Sequence, residues 1–81
     1  MTEELIGYVT GNINRDRIMK ILESKGAEKS EIIAKRARIP WKTTSKILLE
    51  LKEKGLVEQE GENFKLTSKG REIVREILKI L

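Results

Sequence analysis

The residues of this sequence best suited to chemistry form a cluster of positive charge near the middle of the chain. Positions 35 to 46 contain no acidic residue, and the basic residues there are Lys35, Arg36, Arg38, Lys42 and Lys46. Lysine and arginine at this density attract polyanions and can neutralise the phosphates of a nucleic-acid backbone. The cluster therefore favours nucleic-acid binding. The alternative interpretation is a solvated basic face that binds nothing.

The residue types that are missing bear on catalysis and metal binding. None of the 81 residues is histidine or cysteine. Histidine is the commonest general base near neutral pH, and cysteine supplies disulfides and thiolate metal ligands. We therefore expect no enzymatic activity, no metal site and no cofactor.

Charge is distributed unevenly along the chain. The formal net charge is +4, and residues 29–55 contain eight basic and three acidic residues, whereas the segments on either side are close to neutral. No apolar run approaches the length of about 20 residues that a membrane-spanning helix needs, and no signal peptide is recognisable. The sequence thus predicts a soluble, cytoplasmic protein without membrane contact.

Two helices are predicted up to the start of the basic cluster. Asn12 or Asn14 can cap a helix that runs to about Lys25 and ends at Gly26. A shorter helix follows at about 30–37. The first twelve residues contain two glycines and are weakly determined, so their conformation stays open.

A tight corner separates these helices from a third. The residue before a proline avoids helical geometry, so the second helix must end before Pro40. Proline is accepted in the first turn of a helix, and a third helix is predicted over about 41–54, with Gly55 ending it. The segment 30–54 therefore predicts a helix-turn-helix.

The rest of the chain predicts a hairpin and a last helix. Residues 56–67 alternate apolar and polar side chains around Gly61, which is typical of two short strands. Thr67 or Ser68 can cap a helix over 68–81. The order of elements predicts a mainly α fold with a small β-hairpin in one domain over 1–81. It is that of a winged helix-turn-helix, with a three-helix core, a two-stranded wing and a C-terminal helix.

The sequence also resembles the winged-helix transcriptional regulators common in archaea and bacteria. The similar stretches are "SEIIAKRARIPWKTTSKILLELKEKGLVE" and "FKLTSKGREIV". The positions that match the family pattern are Ala34, Ile39, Thr43 to Ser45, Leu51 to Val57 and Leu66 to Arg71. The resemblance implies DNA binding through the third helix, often as a dimer. Relatives often have glycine where this chain has Arg38, so the shape of the corner is open.

The helical period of about 3.6 residues sorts the residues of the third helix. With Thr44, Ile47, Leu48 and Leu51 toward the core, the basic N-terminal half points outward. The predicted base-reading residues are Lys42, Thr43, Ser45 and Lys46. The predicted phosphate-binding residues are Lys35, Arg36 and Arg38. For Trp41, packing against the edge of the core is favoured, with a direct DNA contact as the alternative.

The hairpin is acidic, whereas a DNA-binding wing is usually basic. It contains Glu58, Glu60 and Glu62, and carboxylates repel phosphates. Either only the tip of the wing lies near DNA or the wing faces a protein partner. The wing-tip candidates are Gly61, Asn63 and Lys65.

The last helix is apolar over about half of its circumference, more than docking on one core requires. We expect a homodimer through Ile73, Val74, Ile77, Leu78 and Leu81. The alternative is that residues 1–12, the N-terminal lead-in, cover this surplus apolar surface within one chain.

The predicted function is a dimeric DNA-binding transcriptional regulator with helix 41–54 in the major groove. The alternative is a protein-interaction module within a transcription or chromatin assembly.

Overall fold

The computed structural model describes residues 2–80 as helices around a small antiparallel sheet. The elements are α1 (Thr2–Thr10), α2 (Ile13–Lys25), β1 (Glu28–Lys29), α3 (Ser30–Ala37), α4 (Trp41–Glu53), β2 (Val57–Glu60), β3 (Asn63–Leu66) and α5 (Ser68–Ile80). This order confirms the predicted mainly α fold with a helix-turn-helix and a hairpin. The helices α2, α3 and α4 pack against one another, and α5 returns to pack on α1 and α2.

Helix α1 is formed by the lead-in whose conformation the sequence left open. Val9 is fully buried, and Leu5 and Ile6 pack half-buried against the same core. The helix ends where the Gly11 N–H donates to the Gly7 carbonyl at 2.8 Å. The lead-in therefore covers part of the core within the chain.

Helix α2 begins at the first of its two candidate caps. The Asn12 side-chain oxygen accepts the backbone N–H groups of Asn14 and Arg15 at 2.9 and 3.1 Å, which satisfies two donors of the first turn. Gly26, with φ 80°, ends the helix. The predicted boundaries of this helix are confirmed.

Within residues 2–80 the sheet has three strands, which are the predicted two-stranded wing, β2 and β3, and a short strand β1 that the sequence did not predict. The short strand β1 pairs with β3, with Glu28 opposite Phe64 and Lys29 opposite Asn63. Strand β3 lies in the middle of the order β1-β3-β2. Two residues are too few to show an alternation of apolar and polar side chains, so β1 left no pattern in the sequence.

A single core draws apolar side chains from all five helices and from the hairpin. Its fully buried members include Val9, Ile18, Met19, Ile33, Leu48, Leu51, Leu56 and Ile73. Helix α5 contributes Ile73, Val74 and Ile77, which are at most 3% exposed. The expectation that these three residues form a dimer interface is corrected, because their side chains are already enclosed within one chain.

The start of α5 is fixed to the exit of α4 by a glycine and a threonine. The Thr67 hydroxyl donates to the Gly55 carbonyl at 2.7 Å and accepts the Gly70 N–H at 3.0 Å, so Thr67 caps α5. Gly70 is buried against the Leu56 carbonyl oxygen, and an added Cβ would overlap that atom. This contact explains the glycine at position 70.

Candidate nucleic-acid interface

The corner between α3 and α4 is built by backbone hydrogen bonds. Arg38 adopts a left-handed conformation, with φ 58° and ψ 45°. Its N–H donates to the Lys35 carbonyl at 3.3 Å, and the Ile39 N–H donates to the Ala34 carbonyl at 3.1 Å. This is the pattern of a Schellman motif, in which a left-handed residue closes the end of a helix. Arg38 therefore takes a conformation that glycine adopts at lower cost.

Pro40 then starts α4 at a defined angle. The Pro40 carbonyl accepts the Thr44 N–H at 3.0 Å and opens the first helical turn. The corner is also held from α2, because an Arg17 Nη atom donates to the Ala37 carbonyl at 3.0 Å. A side chain of α2, outside the helix-turn-helix, thus contributes a hydrogen bond to the corner.

Helix α4 has the two faces that its period predicts. The buried side chains are Thr44, Ile47, Leu48 and Leu51. The opposite face is open to solvent and includes Leu49, which is 53% exposed. The division of α4 into a core face and an outward face is confirmed.

The structure places the predicted base-reading residues on the first two turns of the outward face. Lys42, Thr43 and Lys46 are exposed, and Ser45 is half-buried. No salt bridge engages either lysine within the described residues. The lysines are therefore available to a ligand, and their base contacts stay a prediction.

The three predicted phosphate-binding residues differ in their surroundings. All are exposed, but Arg36 lies 3.6 Å from a carboxylate oxygen of Glu28, whereas neither Lys35 nor Arg38 has an ion pair within residues 2–80. The positive charge of Arg36 is thus partly neutralised by the Glu28 carboxylate of β1. Lys35 and Arg38 are the better candidates of the three.

Trp41 lies at the surface of the corner, and its packing against the edge of the core stays a prediction. Its side chain is 53% exposed. Ala34 and Ile39, each 6% exposed, line a surface groove together with this ring. Its Nε1–H donates to the Ser30 hydroxyl oxygen at 3.1 Å, which joins the first residues of α3 and α4. A direct DNA contact by the ring stays a prediction.

The wing keeps its acidic character in three dimensions. Its cation Lys65 stands opposite Glu58 in the strand register and forms a salt bridge of 3.1 Å with Glu60. Glu62 and Asn63 are exposed beside Gly61, which has φ 60° in the turn. Gly61 and Asn63 therefore lie at the tip, whereas Lys65 lies within β3 and forms its ion pair with a carboxylate of the same hairpin.

A cluster that joins α1, α2 and α4 was not foreseen from the sequence. The Arg15 guanidinium lies over the Tyr8 ring at 3.9 Å from its centroid, and one Nη atom donates to the Tyr8 carbonyl at 3.0 Å. The other Nη lies 3.9 Å from a carboxylate oxygen of Glu50. Arginine and glutamate 35 positions apart give no local signal, so only the tertiary structure reveals this cluster.

Of the remaining dimer candidates, Leu78 lies near the end of α5. Leu78 is 50% exposed and Ile80 is 70% exposed, whereas Leu81 lies outside the described residues. Leu78 is the predicted interface residue that the structure leaves open to a second chain.

No helix between residues 2 and 80 is long and apolar enough to span a membrane. The same part of the chain contains no cluster of acidic side chains arranged to hold a metal ion.

Comparison with known proteins gives a family match over most of the chain. A family model described as winged helix-turn-helix matches residues 15–81. Among solved structures, ligand-free NadR superposes with a TM-score of 0.83 at 25% sequence identity, over 98% of this chain and 61% of NadR. NMB1585 from Neisseria meningitidis, a MarR family regulator, superposes with a TM-score of 0.78 at 25% identity, over 95% of this chain and 59% of that protein.

A third solved structure is a separate DNA-binding domain. The homodimeric winged helix-turn-helix DNA-binding domain of Mb0332 from Mycobacterium bovis superposes with a TM-score of 0.74 at 24% identity, over 98% of this chain and 76% of that domain. No curated protein matches the sequence. The chain spans about three fifths of the length of NadR and of NMB1585.

Proposed function

Since this chain belongs to the winged helix-turn-helix family, we propose that it is a DNA-binding transcriptional regulator whose helix α4 enters the major groove. The observation that carries the proposal is the division of α4 into two faces. One face fills the core, while the first turns of the other present Lys42, Thr43 and Lys46 to solvent. The major groove of B-DNA admits an α-helix, and these side chains can donate hydrogen bonds to its base edges.

The cations around α4 divide into two roles in this proposal. Lys42 and Lys46 read bases together with Thr43 and Ser45, because all four lie on the helix that enters the groove. Lys35, Arg36 and Arg38 bind phosphates, because α3 and the corner run beside the groove. Phosphate contacts fix the position of the protein on the duplex without reading its sequence.

A homodimer completes the proposed mode of binding. Leu78 and Ile80 leave apolar surface exposed on α5, and Mb0332 is a homodimer of the same fold. Pairing of two chains through this surface would bury it and bring two copies of α4 to successive major grooves, about 34 Å apart. The operator would then have two-fold symmetry.

The wing contributes little to DNA binding in this arrangement. Glu58, Glu60 and Glu62 would face phosphates unfavourably if the hairpin lay flat on the duplex. Its tip, with Gly61 and Asn63, is the part able to approach the backbone closely. Affinity and specificity therefore depend mainly on α3 and α4.

The proposal is tested by fluorescence anisotropy of a labelled random-sequence duplex titrated with the protein at several salt concentrations. The affinity should fall steeply with salt, and the logarithmic slope should correspond to about 0.9 per phosphate contact. The variant Lys42→Ala should bind less tightly than the parent. Absence of binding at low salt would contradict the proposal.

A second candidate function is a protein-interaction module, and the acidic wing favours it. Glu62 is exposed at the tip, and Lys65 is already engaged by Glu60. An acidic hairpin fits a basic protein surface better than a duplex. Failure to bind DNA together with salt-sensitive binding of a basic protein, lost on Glu62→Gln, would favour this candidate.

A further inference from the structure

We propose that Arg15 of α2 is a positioning residue for DNA binding, which neutralises the Glu50 carboxylate on α4 and is itself held by Tyr8 of α1. The inference rests on the proposed function and adds a dependence of α4 on the position of α1. Arg15 acts through Glu50 and needs no contact with DNA of its own.

The contacts of Arg15 come from two different helices. From α1, the Tyr8 ring lies under the guanidinium at 3.9 Å and the Tyr8 carbonyl accepts an Nη–H at 3.0 Å. From α4, Glu50 lies 3.9 Å from the other Nη atom. The Arg15 side chain is 23% exposed and that of Glu50 is 35% exposed, so this pair is screened less than a fully solvated one. The guanidinium therefore joins α1 to α4.

Glu50 matters because of where it lies on α4. It follows Lys46 by about one helical turn and Thr43 by about two, so the three residues lie on one side of the helix. These residues line a shallow groove together with Asn14 and Arg15. The Glu50 carboxylate thus opens onto the surface that we propose meets DNA, where an uncompensated negative charge would repel phosphates.

Tyr8 holds the Arg15 guanidinium in place beside the Glu50 carboxylate. A separation of 3.9 Å is at the outer limit for an ion pair, so its strength depends on a fixed guanidinium. The aromatic face and the backbone carbonyl of Tyr8 hold this guanidinium in place. The Lys54 ammonium lies 5.1 Å from the centroid of the same ring. A shift of α1 would therefore move Arg15 away from Glu50.

The test is a double-mutant cycle on duplex binding, measured by anisotropy at several salt concentrations with Arg15→Gln, Glu50→Gln and the double variant. Arg15→Gln should weaken binding about fivefold, because it exposes the Glu50 charge. Glu50→Gln should bind at least as tightly as the parent. The double variant should match Glu50→Gln, since no carboxylate is left to neutralise.

Three further variants separate positioning from general effects. Tyr8→Ala should weaken binding in the same direction as Arg15→Gln, and Tyr8→Phe should leave it unchanged, because the ring and the carbonyl make the contacts. Arg75→Gln is the matched control. It removes one cation from a 3.3 Å ion pair between α5 and Glu23 of α2, outside the residues proposed to contact DNA, and should leave affinity unchanged.

The outcomes distinguish this inference from the proposed function. If the parent chain binds no duplex, both are overturned. A second outcome is that the parent binds but the double variant binds as weakly as Arg15→Gln, with a salt slope reduced by about one. Arg15 would then contact phosphate directly, which overturns this inference and leaves the proposed function standing. An unchanged affinity of Arg15→Gln would also overturn it alone.

Discussion

Arg38 combines a strained backbone with a cation that we propose binds phosphate. A non-glycine residue in the left-handed region costs about 1 kcal/mol. Arg38→Gly should therefore raise the free energy of unfolding by up to about 1 kcal/mol while weakening DNA binding. Thermal melting and duplex titration of the same variant measure both effects.

A comparison variant separates the two effects at this corner. Arg38→Ala removes the same cation but keeps a Cβ in the left-handed conformation. It should weaken DNA binding as much as Arg38→Gly without any gain in stability. Equal stability of the two variants would show that the corner relaxes, and unchanged DNA affinity in both would remove Arg38 from the interface.

Lys46 and Lys35 provide a second contrast at the residue scale, between reading bases and binding phosphates. Lys46→Ala should cost about 1 to 3 kcal/mol on the preferred operator and relax the preference at one base position. Lys35→Ala should weaken binding to all sequences alike and lower the salt slope by about one. Selection of duplexes from a random pool, followed by titration of both variants, checks this. An equal loss on every sequence for Lys46→Ala would reassign that lysine to phosphate.

Thr44 is the polar residue at the centre of the core face of α4. It is fully buried, and its hydroxyl has no hydrogen-bond partner within the described residues. Thr44→Val removes this hydroxyl at nearly constant volume and should raise the free energy of unfolding by about 1 kcal/mol. DNA affinity should not change. A stability loss on chemical denaturation would show that the hydroxyl is satisfied in solution.

The helical period predicted which side chains of α4 face the core, because burial follows from position on the helix. It did not predict that Trp41 is 53% exposed, because position on a helix does not specify which neighbouring elements cover a side chain. It also gave no sign of the contact between Arg15 and Glu50. Pairwise contacts between distant elements depend on how helices are docked, which periodicity does not specify.

At the scale of elements, Gly70 links the hairpin to α5. An added Cβ would overlap the Leu56 carbonyl, so Gly70→Ala should cost about 2 to 3 kcal/mol by forcing α5 away from the exit of α4. Gly7→Ala is the matched control, because a Cβ there meets no atom within 4 Å in helix α1. That variant should be neutral or stabilising by about 0.5 to 1 kcal/mol. Equal melting temperatures for the two variants would contradict this account of Gly70.

The elements that the sequence predicted well have local signals. Caps, glycines and one proline marked the ends of α2, α3 and α4, and alternation marked the hairpin. Strand β1 was missed because its pairing with β3 is a long-range contact of two residues. The conformation of α1 stayed open because Gly7 within it and Gly11 just after it weaken the local preference, and packing on the core decides its conformation.

At the scale of the whole molecule, the exposed end of α5 should carry dimerisation. Leu78→Asp should leave the monomer folded, because this side chain is 50% exposed, and weaken self-association roughly tenfold or more. Sedimentation velocity over a range of concentrations measures this. Leu49→Asp is a matched control, because Leu49 is 53% exposed but lies on α4. Leu49→Asp should impair DNA binding and leave self-association unchanged. Loss of self-association in Leu49→Asp but not in Leu78→Asp would place the dimer interface on the recognition surface.

The orientation of the folded domain on DNA is tested most directly by mapping the duplex on the protein surface. Backbone amide shifts of the ¹⁵N-labelled chain, followed by NMR during titration with a duplex, report this residue by residue. We expect the largest changes between residues 35 and 46, with smaller changes at the tip of the wing. Changes concentrated on the wing strands or on α5, with the first turns of α4 unaffected, would contradict insertion of α4 into the major groove.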